Sequence, residues 1–132
     1  MALPFEQLLQ ELATYLQTEL TCEREVYSLI VPLPTGRRQE VGATIRLDAN
    51  GRDIIDFVST VGPARSEVDP WRLLEANGET TFSRITVARE MIFVIASQLL
   101  DTAQPEEVLL MLREVAHFAD LLESRFFRSD TF

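Results

Sequence analysis

The chain has 132 residues, of which 46% are apolar and 25% charged, the proportions of an ordinary globular domain and not of a disordered or membrane-embedded chain. Its formal net charge is -9 and all 12 basic residues are Arg, a field that repels phosphate, so no nucleic acid and no membrane are expected as partners and basic polypeptides are favoured. With no Lys in the chain, Schiff-base chemistry and a P-loop lysine are excluded.

One domain over residues 1–132 is expected, large enough to bury about two thirds of the surface of its unfolded chain without a metal or disulfide. No apolar run approaches the roughly 18 to 20 residues of a spanning helix. The opening MALPFEQLLQELATYL has acidic and amide residues where a signal peptide has a basic region, and the single Cys22 cannot make an internal disulfide. A cytoplasmic protein is therefore expected.

In chain order, residues 4–20 place Phe5, Leu8, Leu9, Leu12, Leu16 and Leu20 at helical spacing, with Pro4 at the start. From Glu23 the residues become β-branched and aromatic, and this first strand closes at Pro32 and Pro34. In the second strand Val41, Ala43, Ile45 and Leu47 alternate with smaller or polar residues, and Asn50-Gly51 supplies a tight hairpin before the third, residues 53–61. Asp69 caps a short helix that opens with Pro70 and stops at Asn77-Gly78. Strands over 81–87 and 91–99 follow, then a helix from about Pro105 to Phe127, leaving residues 128–132 as a frayed tail. The order α-β-β-β-α-β-β-α predicts an α+β fold, an antiparallel sheet of about five strands with helices packed on one face.

In the last helix Val108, Leu112, Val115, Ala119, Leu122 and Phe126 repeat at spacings of 4, 3, 4, 3 and 4, and Leu109, Met111, Ala116 and Phe118 widen that stripe. The extra residues are read as core or as cover beneath the first helix, with an interface as the alternative. Trp71 is read as a lid on the core, again with an interface as the alternative.

The residues assemble no catalytic set. Cys22 and His117, the only thiol and imidazole, would need a third group such as Asp120, one helical turn on from His117. Cys22 lacks a motif context and is read as a small apolar residue at a junction. His117 is read as partly exposed and paired with Asp120 or Glu114. The stretch DANGRDIID, residues 48–56, fails as a calcium loop because Arg52 stands at the fifth position, which needs an oxygen ligand. One His and one Cys are too few for a transition-metal site, the five glycines are isolated, and Asp53/Asp56 and Glu106/Glu107 read as solvated surface. No catalytic residue, metal or cofactor is expected.

The segment WRLLEANGETTFSRITVAREMIFVIASQLLDTAQPEEVLLMLREVAHFADLLESRF resembles the second half of the YbjN-like and type III secretion chaperone-like superfamily, at Leu73, Leu74, Asn77, Arg84, Pro105, Ala119, Asp120, Leu122 and Glu123. The match in element order extends over most of the chain. The resemblance implies a non-enzymatic protein-binding module, chaperone-like or regulatory, that acts as a homodimer and holds a protein or peptide segment along the first helix and one sheet face. On those surfaces Leu8, Leu12 and Leu16 are the expected partner contacts, with Arg24, Arg37, Arg38 and Arg46 as anchors for carboxylates, and the resemblance implies a dimer interface at Trp71 and Leu74. The loop 62–69 is longer and more polar than in a secretion chaperone, and Pro32 and Pro34 limit edge addition to the first strand, so the YbjN-like branch is favoured. The alternatives are a small-molecule sensor or small enzyme with a pocket near His117 and Asp120, and a structural subunit of a larger assembly.

Overall fold

The computed structural model describes residues 4–127, so the expected tail at 128–132 lies outside the described residues. The first helix, α1 (Phe5–Leu16), buries Leu8, Leu9, Leu12, Ala13 and Leu16, the stripe its spacing dictates. It stops at Gln17, which turns left-handed (φ 54°) so that its N–H reaches back to Ala13 and Thr14. Six strands follow in one antiparallel sheet: β1 (Thr21–Glu23), β2 (Val26–Pro32), β3 (Arg38–Leu47), β4 (Asp53–Pro63), β5 (Arg84–Ala88) and β6 (Met91–Leu99), in spatial order β1-β2-β3-β4-β6-β5. Between β4 and β5 lies α2 (Pro70–Ala76), extended by a 3₁₀ turn over Asn77–Glu79, and α3 (Pro105–Phe126) ends the described fold.

The α+β class, the antiparallel sheet and the helices on one face are as the sequence implies, with one strand more than expected. The extra strand is β1, which pairs with β2 at Thr21↔Ser28, Cys22↔Tyr27 and Glu23↔Val26. Its turn, Arg24-Glu25, has both residues at positive φ (51° and 66°), and Arg89-Glu90 joins β5 to β6 in the same way (52° and 63°). Two-residue hairpins need these angles, which Asn-Gly normally supplies; Arg-Glu carries no such signal, which is why the first hairpin was illegible. Asn50-Gly51 does not make the tight two-residue turn expected of it. β3 and β4 are joined by the longer loop 48–52, in which Asp48 accepts from the N–H of Asn50 (2.8 Å) and Arg52 (2.9 Å) and only Gly51 is at positive φ (76°). Residues 81–83, expected to open β5, precede it.

Register sorts the side chains into two layers. Leu29, Val31, Val41, Ala43, Ile55, Phe57, Ile92, Val94 and Ala96 face one way and are fully buried. Onto this face pack α1 and the buried side of α3, including Leu109, Met111, Ala116 and Phe118, so the wide stripe of α3 is core. At about 25 cal/mol per Å² of apolar surface removed from water, this shared cluster is the main source of stability. Two contacts pin α1 to β2: the Tyr27 hydroxyl donates to Glu6 (2.8 Å), and the Phe5 ring meets the Tyr27 ring edge to face at 5.6 Å. At the far end β4 bulges between Thr60 and Gly62, where a Cβ on Gly62 would lie 2.9 Å from the Phe127 ring.

Candidate functional site

The second face of the sheet has no helix on it among the described residues. By register it carries Ser28, Gly42, Val58, Ile95 and Arg84 as one cross-strand row, with Val26, Ile30, Thr60, Phe93 and Met91 beside it. Val26 and Ile30 are 41% and 37% exposed, and Val58, Met91, Phe93 and Ile95 are half-buried. Strand residues with charges on this face are Arg38, Arg46 and Arg84 against Glu23, Glu40 and Asp56, so it is neutral on a protein of net charge -9. An apolar, neutral sheet surface on an acidic body loses less hydration on contact than any charged face would.

A polar line crosses one end of this face. Asp56 on β4 accepts from Arg46 Nε on β3 (2.5 Å) and from the Ser97 hydroxyl on β6 (2.6 Å), and Arg84 on β5 donates to Ser97 at 3.4 Å. Asp56 is only 7% exposed, which corrects the reading of it as solvated surface: its charge is buried because it is paired. The hydrogen bond and the charge of Asp56 raise the Arg46 pKa above its already high ordinary value. Arg46 is thus committed within the sheet, whereas Arg38 is exposed at the start of β3.

Several expected site residues lie elsewhere. Leu8, Leu12 and Leu16 are 1%, 1% and 6% exposed, because the apolar stripe of α1 faces the core and cannot also face a partner; outward α1 shows Gln7, Gln10, Glu11 and Tyr15. Arg37 reaches from the β2–β3 loop to α3, donating to Asp120 (2.7 Å) and Ser124 (3.0 Å). Asp120 is buried by that contact. Arg24 lies in the β1–β2 turn. Trp71 is no lid: it is 74% exposed, as Leu74 is at 61%, because α2 turns Leu73 and Ala76 inward instead. Asn77 at the end of α2 accepts from the Ile85 N–H (2.6 Å), which places this helix beside the edge strand β5, where Val87 is 55% exposed.

Chemistry-bearing side chains remain dispersed. Cys22, expected at a packed junction, is exposed on edge strand β1, while His117 is exposed on α3. It borders an open groove of about 720 Å³ between α3 and residues 31–34, together with Arg113 and Glu114. Among the described residues no group of three or more His, Cys, Asp or Glu is placed to hold a metal ion, and no helix is long and apolar enough to cross a membrane.

Glu114, which the sequence offers only as a partner for His117, is instead engaged by residues 81–83. It leaves α3 to accept four hydrogen bonds, from the N–H groups of Thr81 (3.0 Å), Phe82 and Ser83 (2.8 Å each) and from the Ser83 hydroxyl (2.7 Å). Burial pushes its carboxyl pKa up, but these donors outweigh burial and hold it below the usual range. Its role is to clamp the segment leading into β5, a long-range contact with no local sequence signal.

No protein-family model and no curated protein matches this sequence significantly. Solved structures do match in fold. A chain of the HopA1-SchA chaperone-effector complex superposes with a TM-score of 0.65 at 8% identity, covering 91% of this chain and 93% of that one. A chain of the Yersinia pestis type III secretion chaperone SycH in complex with a fragment of YscM2 gives 0.58 at 14% identity, covering 90% and 99%. YbjN from E. coli gives 0.58 at 16% identity, covering 94% and 93%. The chain has the secretion chaperone-like and YbjN-like fold; at these identities the likeness concerns fold alone.

Proposed function

We propose that this protein is a non-enzymatic binding module of the cytoplasm, chaperone-like or regulatory, which holds a segment of a partner polypeptide on its open sheet face. The carrying observation is that face itself: it presents Val26, Ile30, Val58, Met91, Phe93 and Ile95 among small polar residues, its charges cancel, and it is bare of helices among the described residues. The bound segment sets its apolar side chains against these apolar residues, with Arg38 and Arg84 available to its carboxylates. The acidic remainder of the surface steers a partner of net positive charge towards it. The HopA1-SchA and SycH structures are complexes of chaperones with other polypeptides, which supports the same use here. The test is capture with the tagged protein from its native cytoplasm. One polypeptide at a fixed ratio, resistant to moderate salt, supports the reading, and the absence of any bound polypeptide removes it.

The functional unit in this proposal is a homodimer formed through α2 and the β5 edge. Its support is the exposure of Trp71 and Leu74 on α2 and of Val87 on β5, apolar side chains of the kind that anchor interfaces, on two elements tied by the Asn77–Ile85 bond. Trp71→Glu is expected to convert a dimer into a monomer that remains folded, its melting temperature lowered only by the loss of the stabilisation that association gives and no longer dependent on protein concentration. Light scattering with thermal melting checks this, and a wild-type protein that is monomeric across micromolar concentrations ends the dimer proposal.

A further inference from the structure

The groove beside His117 lies between α3 and the chain leaving the end of β2, apart from the central rows of the face assigned to the partner, and its construction specifies a ligand. Its wall is held in place before anything binds: Leu33 N–H donates to Arg37 C=O and Gly36 N–H to Leu33 C=O (2.9 Å each), and the Arg37–Asp120 ion pair fastens this loop to α3. Along that wall Pro32 and Pro34 are exposed, apolar and without an N–H to donate, over Val31 and Leu33, which are buried in the core. A hydrogen-bond acceptor on a ligand must therefore be met from α3, which offers Arg113, Glu114 and His117. Both oxygens of Glu114 are already engaged by the four donors of residues 81–83. What remains is the guanidinium of Arg113 and the imidazole of His117, both donors beside an apolar wall. A volume of about 720 Å³ is within the range of small-molecule sites.

We infer that this groove binds a small amphiphilic carboxylate, its apolar body against Pro32 and Pro34 and its carboxylate on Arg113 and His117. The complementarity is local: a carboxylate is repelled by the protein as a whole and finds donor groups here.

Octanoate serves as the probe and octylamine as its cationic counterpart, titrated into the full chain by amide NMR. Octanoate is expected to give saturable shifts centred on Val31, Leu33, Arg113 and His117 with a Kd on the order of 1 mM, and octylamine none there. Arg113→Gln, at an exposed helical position, should weaken octanoate by about tenfold, the worth of one charge-assisted hydrogen bond. Arg89→Gln, in the β5–β6 turn, should leave it unchanged. No saturable shift, shifts centred on the open sheet face, equal binding of octylamine, or undiminished binding by Arg113→Gln each overturns the inference.

Discussion

Truncating Leu12 to Ala is expected to destabilise the fold by about 2 to 5 kcal/mol, the range for removing a leucine side chain from a core that cannot fully collapse. Leu12 is 1% exposed, on the inner stripe of α1 with Leu8, Leu9 and Leu16, in the same buried cluster as β2, β3 and α3. Removing the methine and two methyl carbons loses their transfer free energy and leaves their neighbours without contact atoms. Tyr15→Ala, one position from the core residue Leu16 but 68% exposed, should stay within about 0.5 kcal/mol. Chemical denaturation of both variants checks the pair. If Leu12→Ala were as mild as Tyr15→Ala, the stripe would not be buried and its assignment to the core would be wrong.

Loss of Glu114 should cost nearly as much. Glu114→Ala leaves three backbone N–H groups of residues 81–83 and the Ser83 hydroxyl without their acceptor, and Ser83 is itself buried at 7%. Hydrogen bonds to a charged group contribute about 1.5 to 3 kcal/mol each, but water can reach part of this segment, so about 2 to 3 kcal/mol in total is expected. Glu114→Gln, of the same shape, should recover more than half, because its oxygen can take the Oε1 place that accepts three of the four bonds while its NH₂ faces only the Thr81 N–H; the rest is lost with the charge. The pH dependence follows from the direction of the shift. The folded pKa lies below the ordinary value of 4.5, so the unfolded state takes up the proton more readily. The contribution is complete above about pH 4.5 and is lost as pH falls through the folded pKa. Unfolding curves of wild type and Glu114→Gln between pH 7 and 3 should converge in the acid range; a difference that persisted undiminished at pH 3 would mean that the carboxylate is not the source.

These two residues also mark what the sequence made legible. Leu12 could be assigned to a buried stripe from spacing alone, since burial on a helix is a local property repeated every three or four residues. So could the helix cap at Asp69, whose carboxylate accepts from the Trp71 N–H at 2.9 Å. Apolar spacing does not say whether a stripe meets the core or a partner: Leu8, Leu12 and Leu16 suit either, but an amphipathic helix has one apolar stripe and here the core takes it. Contacts between segments distant in sequence were out of reach. Glu114 meets residues 81–83 and Arg37 meets Asp120 only once the β2–β3 loop and the approach to β5 fold onto α3. The open face became visible only with the register, which aligns Val58 with Ile95 and Gly42 and shows that its charges cancel.

The most direct measurement of the binding claim places a charge in the middle of that face. Val58 is half-buried there between Gly42 and Ile95, and Val58→Arg leaves the helix side of the sheet untouched. Captured from the native cytoplasm beside wild type and Tyr15→Glu, with folding verified by circular dichroism, Val58→Arg should lose the co-purifying polypeptide while Tyr15→Glu keeps it at the wild-type ratio. A folded Val58→Arg that still held its partner at that ratio would contradict the account, because binding would then occur on some other surface.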